Sequence, residues 1–235
     1  MEQPILHVEN LGKSFGGLKL FDGVNITLRP ATINSLFGSN GSGKTTFFNM
    51  LGGYDKPDAG RMYFDGLTIK FHNEFAIAKA GIGRMWQEPT VFPNHTVLQN
   101  LLVSAKTHPG EHFLNYIFRG NLIRRREADL TDRARGVLRK FKLGCKLDQR
   151  AGSLSLGEKK LLSISMLLMN DARLLLLDEP FSSVNPDTIE RISEVLVELR
   201  EEGRTIFMIE HKIKFAKAIS DHLFKIENHR IVQMN

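Results

Sequence analysis

Residues 38–46 read Gly38-Ser39-Asn40-Gly41-Ser42-Gly43-Lys44-Thr45-Thr46, set between the apolar run Ile33–Phe37 and the helix-like run Phe47–Leu51. No other stretch narrows the fold so far, because a strand has to deliver this loop and a helix has to leave it. Glycine lets backbone N–H groups turn inward where a side chain would block them, and the helix N-terminus adds a field that favours anions. The ligand this predicts is a nucleoside triphosphate, its phosphates cradled by residues 38–46. Lys44 then reaches the β- and γ-phosphates and the Thr45 hydroxyl ligates Mg²⁺.

A chain of 235 residues with 42% apolar and 25% charged residues can bury one large core, with room for a lobe inserted in it. The single Cys145 excludes an internal disulfide framework and reads as an incidental thiol. Met1-Glu2-Gln3-Pro4 shows no secretory signal, and the apolar stretches Leu161–Met169 and Leu174–Leu177 are too short to span a bilayer. Cytoplasmic residence is the expectation, with any membrane role borrowed from a partner.

The net charge of +6 is local: residues 119–150 hold eleven Lys/Arg against four Asp/Glu. Arg124-Arg125-Arg126, Arg133, Arg135 and Arg139 interleave with Leu130, Val137, Leu138 and Phe141 at helical spacing, which reads as a solvated helix face. Contact with lipid headgroups or a membrane partner is the alternative, ahead of nucleic acid, which is not expected as a partner.

Strand patterns fall at Ile5–Val8, Asn25–Leu28, Ile33–Phe37 and Arg61–Phe64, a β-rich entry to a nucleotide core. From Thr96 to Met169 the pattern turns helical. Leu174–Leu177 and Thr205–Ile209 then suit buried parallel strands, joined by a helix that starts near Pro186, carries Ile189, Ile192, Val195, Leu196 and Leu199 on one face, and stops at Gly203. The order fits an α/β core with a helical lobe inserted at about residues 88–160.

Leu174-Leu175-Leu176-Leu177-Asp178-Glu179-Pro180 delivers two carboxylates at the end of an apolar strand, the edge where open α/β sheets bind ligands. Asp178 is placed to hold Mg²⁺, and Glu179 to act as general base toward the water that attacks the γ-phosphate. His211 follows the strand Ile206–Ile209 and Glu210; alone it would read as a structural hydrogen bonder.

These residues resemble the nucleotide-binding subunit of an ATP-binding cassette transporter, from about Ile5 to Ile231. The most specific element is Leu154-Ser155-Leu156-Gly157-Glu158, which looks like the family signature motif. The resemblance implies a P-loop ATPase of the α/β class: one domain over 1–235, its nucleotide-binding core at about 1–87 and 161–235, with an antiparallel β subdomain and a helical subdomain inserted at about 88–160. It implies ATP and Mg²⁺ as ligands and a head-to-tail dimer with a second such subunit, the same or homologous, whose Ser155, Gly157 and Glu158 reach the bound ATP in trans. Phe15 matches the aromatic that stacks on adenine. Gln87 matches the glutamine that senses Mg²⁺ and the attacking water, and Ser182-Ser183-Val184-Asn185 the dimer-contacting loop. His211 falls on the switch histidine that contacts the γ-phosphate, which reverses its reading in isolation. Catalysis is thus assigned to Glu179, His211, Gln87 and Lys44, and the metal to Thr45, Gln87 and Asp178.

Leu156 replaces the first of two signature glycines, Glu158 a common glutamine, Asn185 a frequent aspartate and Ser39 a frequent proline, and the chain stops at Asn235 without the short tail of many relatives. Phe15-Gly16-Gly17-Leu18, Asn185-Pro186 and Ile209-Glu210-His211 look like the ATP subunits of branched-chain amino acid importers. Such a subunit sits on the cytoplasmic face of the membrane through transmembrane permeases, with a substrate-binding protein acting through them. The segment from Trp86 to Phe92, beside Gln87, is expected to meet the permease. Asp178-Glu179-Pro180-Phe181 and Val184 also resemble the ATPase of lipopolysaccharide export, and a soluble cassette acting as a nucleotide switch is a third alternative.

Overall fold

The computed structural model describes residues 3–106 and 120–234, so Arg119 of the basic stretch lies outside the described residues. The chain divides into two compact units, residues 1–87 with 172–235, and residues 88–171. It leaves the second unit after Asp171, past the end of a helix, Leu156–Met169, that contains the boundary expected at 160.

The first unit opens with β1 (Leu6–Phe15), β2 (Leu18–Leu28), β3 (Ile33–Phe37), α1 (Lys44–Leu51), β4 (Ala59–Phe64), β5 (Leu67–Ile69), α2 (Glu74–Ala80) and β6 (Ile82–Met85). The second unit holds α3 (Val97–Val103), α4 (Gly120–Lys140) and α5 (Leu156–Met169). The chain then completes the first unit with β7 (Leu174–Asp178), α6 (Pro186–Glu201), β8 (Thr205–Ile209), α7 (Ile213–Ile219), β9 (His222–Glu227) and β10 (Arg230–Met234).

Two sheets form the first unit. One is antiparallel in the order β2-β1-β4-β5, and the other runs β10-β9-β3-β8-β7-β6, parallel except for the β9–β10 hairpin. Every residue of β3, β7 and β8 is buried, polar Asn34, Ser35, Asp178 and Thr205 included, as strands of a parallel sheet covered on both faces are. Phe47 and Phe48 of α1 pack on Phe207 at ring separations of 6.4 and 5.0 Å, and Phe207 meets Phe224 at 6.1 Å, which anchors the helix under its loop. Parallel pairing in the order β3-β8-β7 brings the C-terminal ends of all three strands to one edge.

α6 matches its expected face, with Ile189, Ile192, Val195, Leu196 and Leu199 buried, Pro186 at its first position and Asn185 accepting from the Thr188 N–H. Asparagine in place of aspartate therefore keeps the cap. In the second unit α3, α4 and α5 pack on one another, and Leu101, Leu138 and Leu161 are buried there. Buried Asn100 ties down the preceding turn through Phe92 N–H, Phe92 C=O and Thr96 C=O. On α4, Arg125, Arg126, Arg135 and Arg139 are exposed while Ala134 and Leu138 are buried. Among the described residues, no helix is long and apolar enough to cross a membrane.

Candidate functional site

β3 ends in the glycine-rich loop, whose geometry depends on glycine. Gly41 and Gly43 sit at φ 77° and 96°, in the left-handed region, and a Cβ on Gly43 would stand 2.9 Å from Leu20 and Phe21. Gly43 also caps α1 with no side-chain acceptor, so the first N–H groups of the helix have no side-chain partner there. Lys44 folds back over the loop, its Nζ donating to Gly38 O and Ser39 O at 2.9 Å each. Burial pulls its ammonium below the ordinary lysine range, against the field of Glu179 and Asp178. The Ser42 hydroxyl is buried without a partner among the described residues, an orphan that a phosphate oxygen would satisfy. A cavity of about 460 Å³ opens here, lined by Phe15, Leu20, Asn40, Gly41, Gly43, Lys44, Thr45, Thr46, Glu179 and His211. The residues present thus fit a polyphosphate. Phe15 is 52% exposed, under the Lys13 ammonium, and so is no core residue.

Across the same edge, β7 supplies the two carboxylates. Asp178 is 2% exposed, and burial pushes it above the usual carboxylate range against the pull of Arg84, with the Thr45 hydroxyl donating to it. Thr45 and Asp178 are therefore adjacent oxygens, the donor set a small hard cation takes when phosphate and water complete its shell. Glu179 stands at φ 49°, a left-handed turn that sends its side chain away from the line of the strand. There it is held from two sides, by Gln87 Nε2 donating at 3.0 Å and His211 Nε2 at 3.1 Å. The sequence-expected trio Glu179, His211 and Gln87 converges beside the loop.

Gly38 and Ser39 line a neighbouring cavity of about 330 Å³ with His211, Glu210 and Lys217 rather than the first one. Ser155, Gly157 and Glu158 belong to the second unit and form a cluster of their own. Ser155 caps α5 in a box with Glu158, its Oγ and N–H both donating to Glu158 Oε2 at 2.9 and 3.0 Å. Lys146 donates to the other Glu158 oxygen at 2.6 Å. Although burial raises the Glu158 carboxyl, Lys146 and Ser155 together hold it below its usual range. Leu156 occupies the first helical position, where no unusual φ is needed, and stays exposed, so the missing glycine leaves the cap intact.

Two residues at the site, Arg84 and Tyr54, carried no motif. Arg84 of β6 lies between Asp178, at 3.5 Å, and an aromatic wall of Trp86, Tyr54 and Phe48, with its guanidinium carbon 4.0 Å from the Trp86 centroid. Burial pulls it down to about 10, with the Asp178 charge opposing. Tyr54 meets Trp86 edge-on at 4.8 Å, so the half-buried indole is committed to packing within the first unit. A lone Arg two positions before an indole in a four-residue strand gives no periodic signal; only the buried Asp178 hints that a cation must face it.

The family model described as ABC transporter matches residues 21–182. The chain is 35% identical over 228 residues to the probable branched-chain amino acid transport ATP-binding protein LivG of Methanocaldococcus jannaschii, covering 97% of this chain and 88% of that one. It is also 35% identical over 227 residues to the high-affinity branched-chain amino acid transport ATP-binding protein BraF of Pseudomonas aeruginosa, covering 96% and 89%. A solved ADP conformation of an ATP-binding cassette of an ABC transporter superposes with a TM-score of 0.84 at 35% identity, covering 98% of this chain and 90% of that one.

Arg84→Met should leave Asp178 as an uncompensated buried charge and destabilise the nucleotide-free protein by about 3 kcal/mol. Arg84→Lys, which keeps the charge and loses the flat stack on Trp86, should cost about 1 kcal/mol. The shift in urea midpoint reads both, and an Arg84→Met variant as stable as the parent would refute the pairing.

Proposed function

Since this chain belongs to the ABC transporter family, we propose that it is the ATP-hydrolysing subunit of an importer for branched-chain amino acids or similar small polar solutes. The observation that carries the proposal is Glu179 held by both Gln87 and His211 on the rim of the phosphate-loop cavity. The likeness to transport ATP-binding proteins over nearly the whole chain supports the solute class.

Phe15 stacks on adenine, residues 38–46 bind the phosphates and Lys44 leaves its carbonyl partners to meet them. Thr45, Asp178 and Gln87 would hold Mg²⁺, which when bound neutralises phosphate charge. Glu179 accepts a proton from the attacking water while Gln87 orients that water and His211 donates toward the γ-phosphate. The signature cluster supports a dimer: Ser155 and Gly157 open a helix N-terminus, an anion site, on a unit that has no phosphate loop of its own. A second copy or a homologous subunit supplies the phosphate. Work is delivered to transmembrane permeases through the residues that follow Gln87, which places the protein on the cytoplasmic face of the membrane, with a substrate-binding protein engaging the permease from the other side.

Glu179→Gln should keep ATP binding, lose most turnover and accumulate as an ATP-bound dimer, because the amide retains shape but cannot take the proton. Light scattering with Mg-ATP reads the dimer, and turnover at the parent rate would remove Glu179 as base. Phe15→Ala should weaken ATP binding by about 1–2 kcal/mol, the scale of an aromatic stack. Unchanged affinity by calorimetry would exclude the stacking role.

A further inference from the structure

Glu210 is a carboxylate 2% exposed at the end of β8. Its Oε1 accepts from the Phe181 N–H at 2.6 Å, and its Oε2 from the N–H groups of His211 and Lys212 at 3.1 and 3.3 Å. Three backbone donors on one buried carboxylate is a charge-assisted arrangement that both stabilises the anion and fixes the donors. The donors come from two different segments. Phe181 opens the loop 181–185 that follows the catalytic carboxylates, and His211 and Lys212 form the turn into α7. A second tie runs the same way, from Lys212 Nζ to Val184 O at 3.4 Å. At its start the loop is fastened to the base itself, with Ser182 N–H and Oγ both donating to the Glu179 carbonyl at 3.1 and 3.0 Å.

We propose that Glu210 is a positioning residue that makes the His211–Glu179 contact depend on the loop 181–185, so that a second copy of the chain pressing on Ser182–Asn185 is registered at the catalytic pair. This deepens the dimeric ATPase reading and rests on it. Glu210 touches no reacting atom; it acts by locking the backbone of His211 to that of Phe181. Glutamine in its place keeps one acceptor oxygen, too few for three N–H groups facing both sides of the head group, so one segment is released while size is preserved.

The test is equilibrium ATP binding and steady-state hydrolysis of the full chain as parent, Glu210→Gln and Lys212→Met. Glu210→Gln should bind ATP within about twofold of the parent and turn over about tenfold more slowly at unchanged KM, and Lys212→Met about threefold more slowly. Parent-like turnover in folded Glu210→Gln overturns the proposal, as does an equal fall in ATP affinity and turnover, the result of general loosening. If Glu210→Gln does not fold, Lys212→Met decides by the same two outcomes. A parent that hydrolyses no ATP at all would sink the functional reading and this inference with it, whereas an active parent with indifferent variants sinks the inference alone.

Discussion

A buried carboxylate that must stay charged is expensive unless the surrounding structure answers it, and Asp178 imposes that condition on everything near it. Its strand is buried along its whole length, so the answering groups have to come from neighbours: Arg84 from β6, the Thr45 hydroxyl and the Lys44 ammonium from the phosphate loop. Each of those is held in turn. Arg84 is pressed onto Trp86 and Tyr54, and Lys44 onto two loop carbonyls. The cluster is a cation-rich basin around two carboxylates. A metal-bound triphosphate, with cation and anion both, can enter such a basin without leaving a charge unanswered.

Topology makes the cluster possible. Parallel strands put like ends together, so the loop after β3, the turn after β8 and the carboxylates after β7 share an edge although they lie far apart in sequence. Short-range patterns carried much of this. The leucine run before Asp178, the glycine spacing before Lys44 and the apolar face of α6 each announce their element, because burial on both faces or on one stripe leaves a periodic trace. The positions of Gln87 and His211 beside Glu179 came from resemblance to a family and not from periodicity.

What stayed hidden has physical reasons. β6 is four residues with a glycine and an arginine in it, and its identity is conferred by pairing with β7. The β9–β10 hairpin turns at Asn228 and His229, both at positive φ, where the sequence lacks the glycine that usually marks such a turn. β1 runs on to Phe15 through bulges that break its alternation, so the pattern ends at Val8 while the strand does not. Arg84 looks like an ordinary surface charge until the fold buries it, and Glu210 entered only as the neighbour of His211, with nothing to show that its carboxylate would be buried. Conversely, the departures at Leu156 and Asn185 looked more disruptive than they are, since one sits at a helical φ and the other still caps its helix.

In the proposed dimer each chain offers its own phosphate loop and Glu179, while its signature helix answers the nucleotide held by the other. ATP hydrolysis per chain, measured over a wide range of protein concentration at saturating Mg-ATP, distinguishes this arrangement from a self-sufficient monomer. Turnover per chain should rise with concentration and level off as dimers saturate. Turnover that is the same at every concentration, at a level set by the single chain, would contradict it.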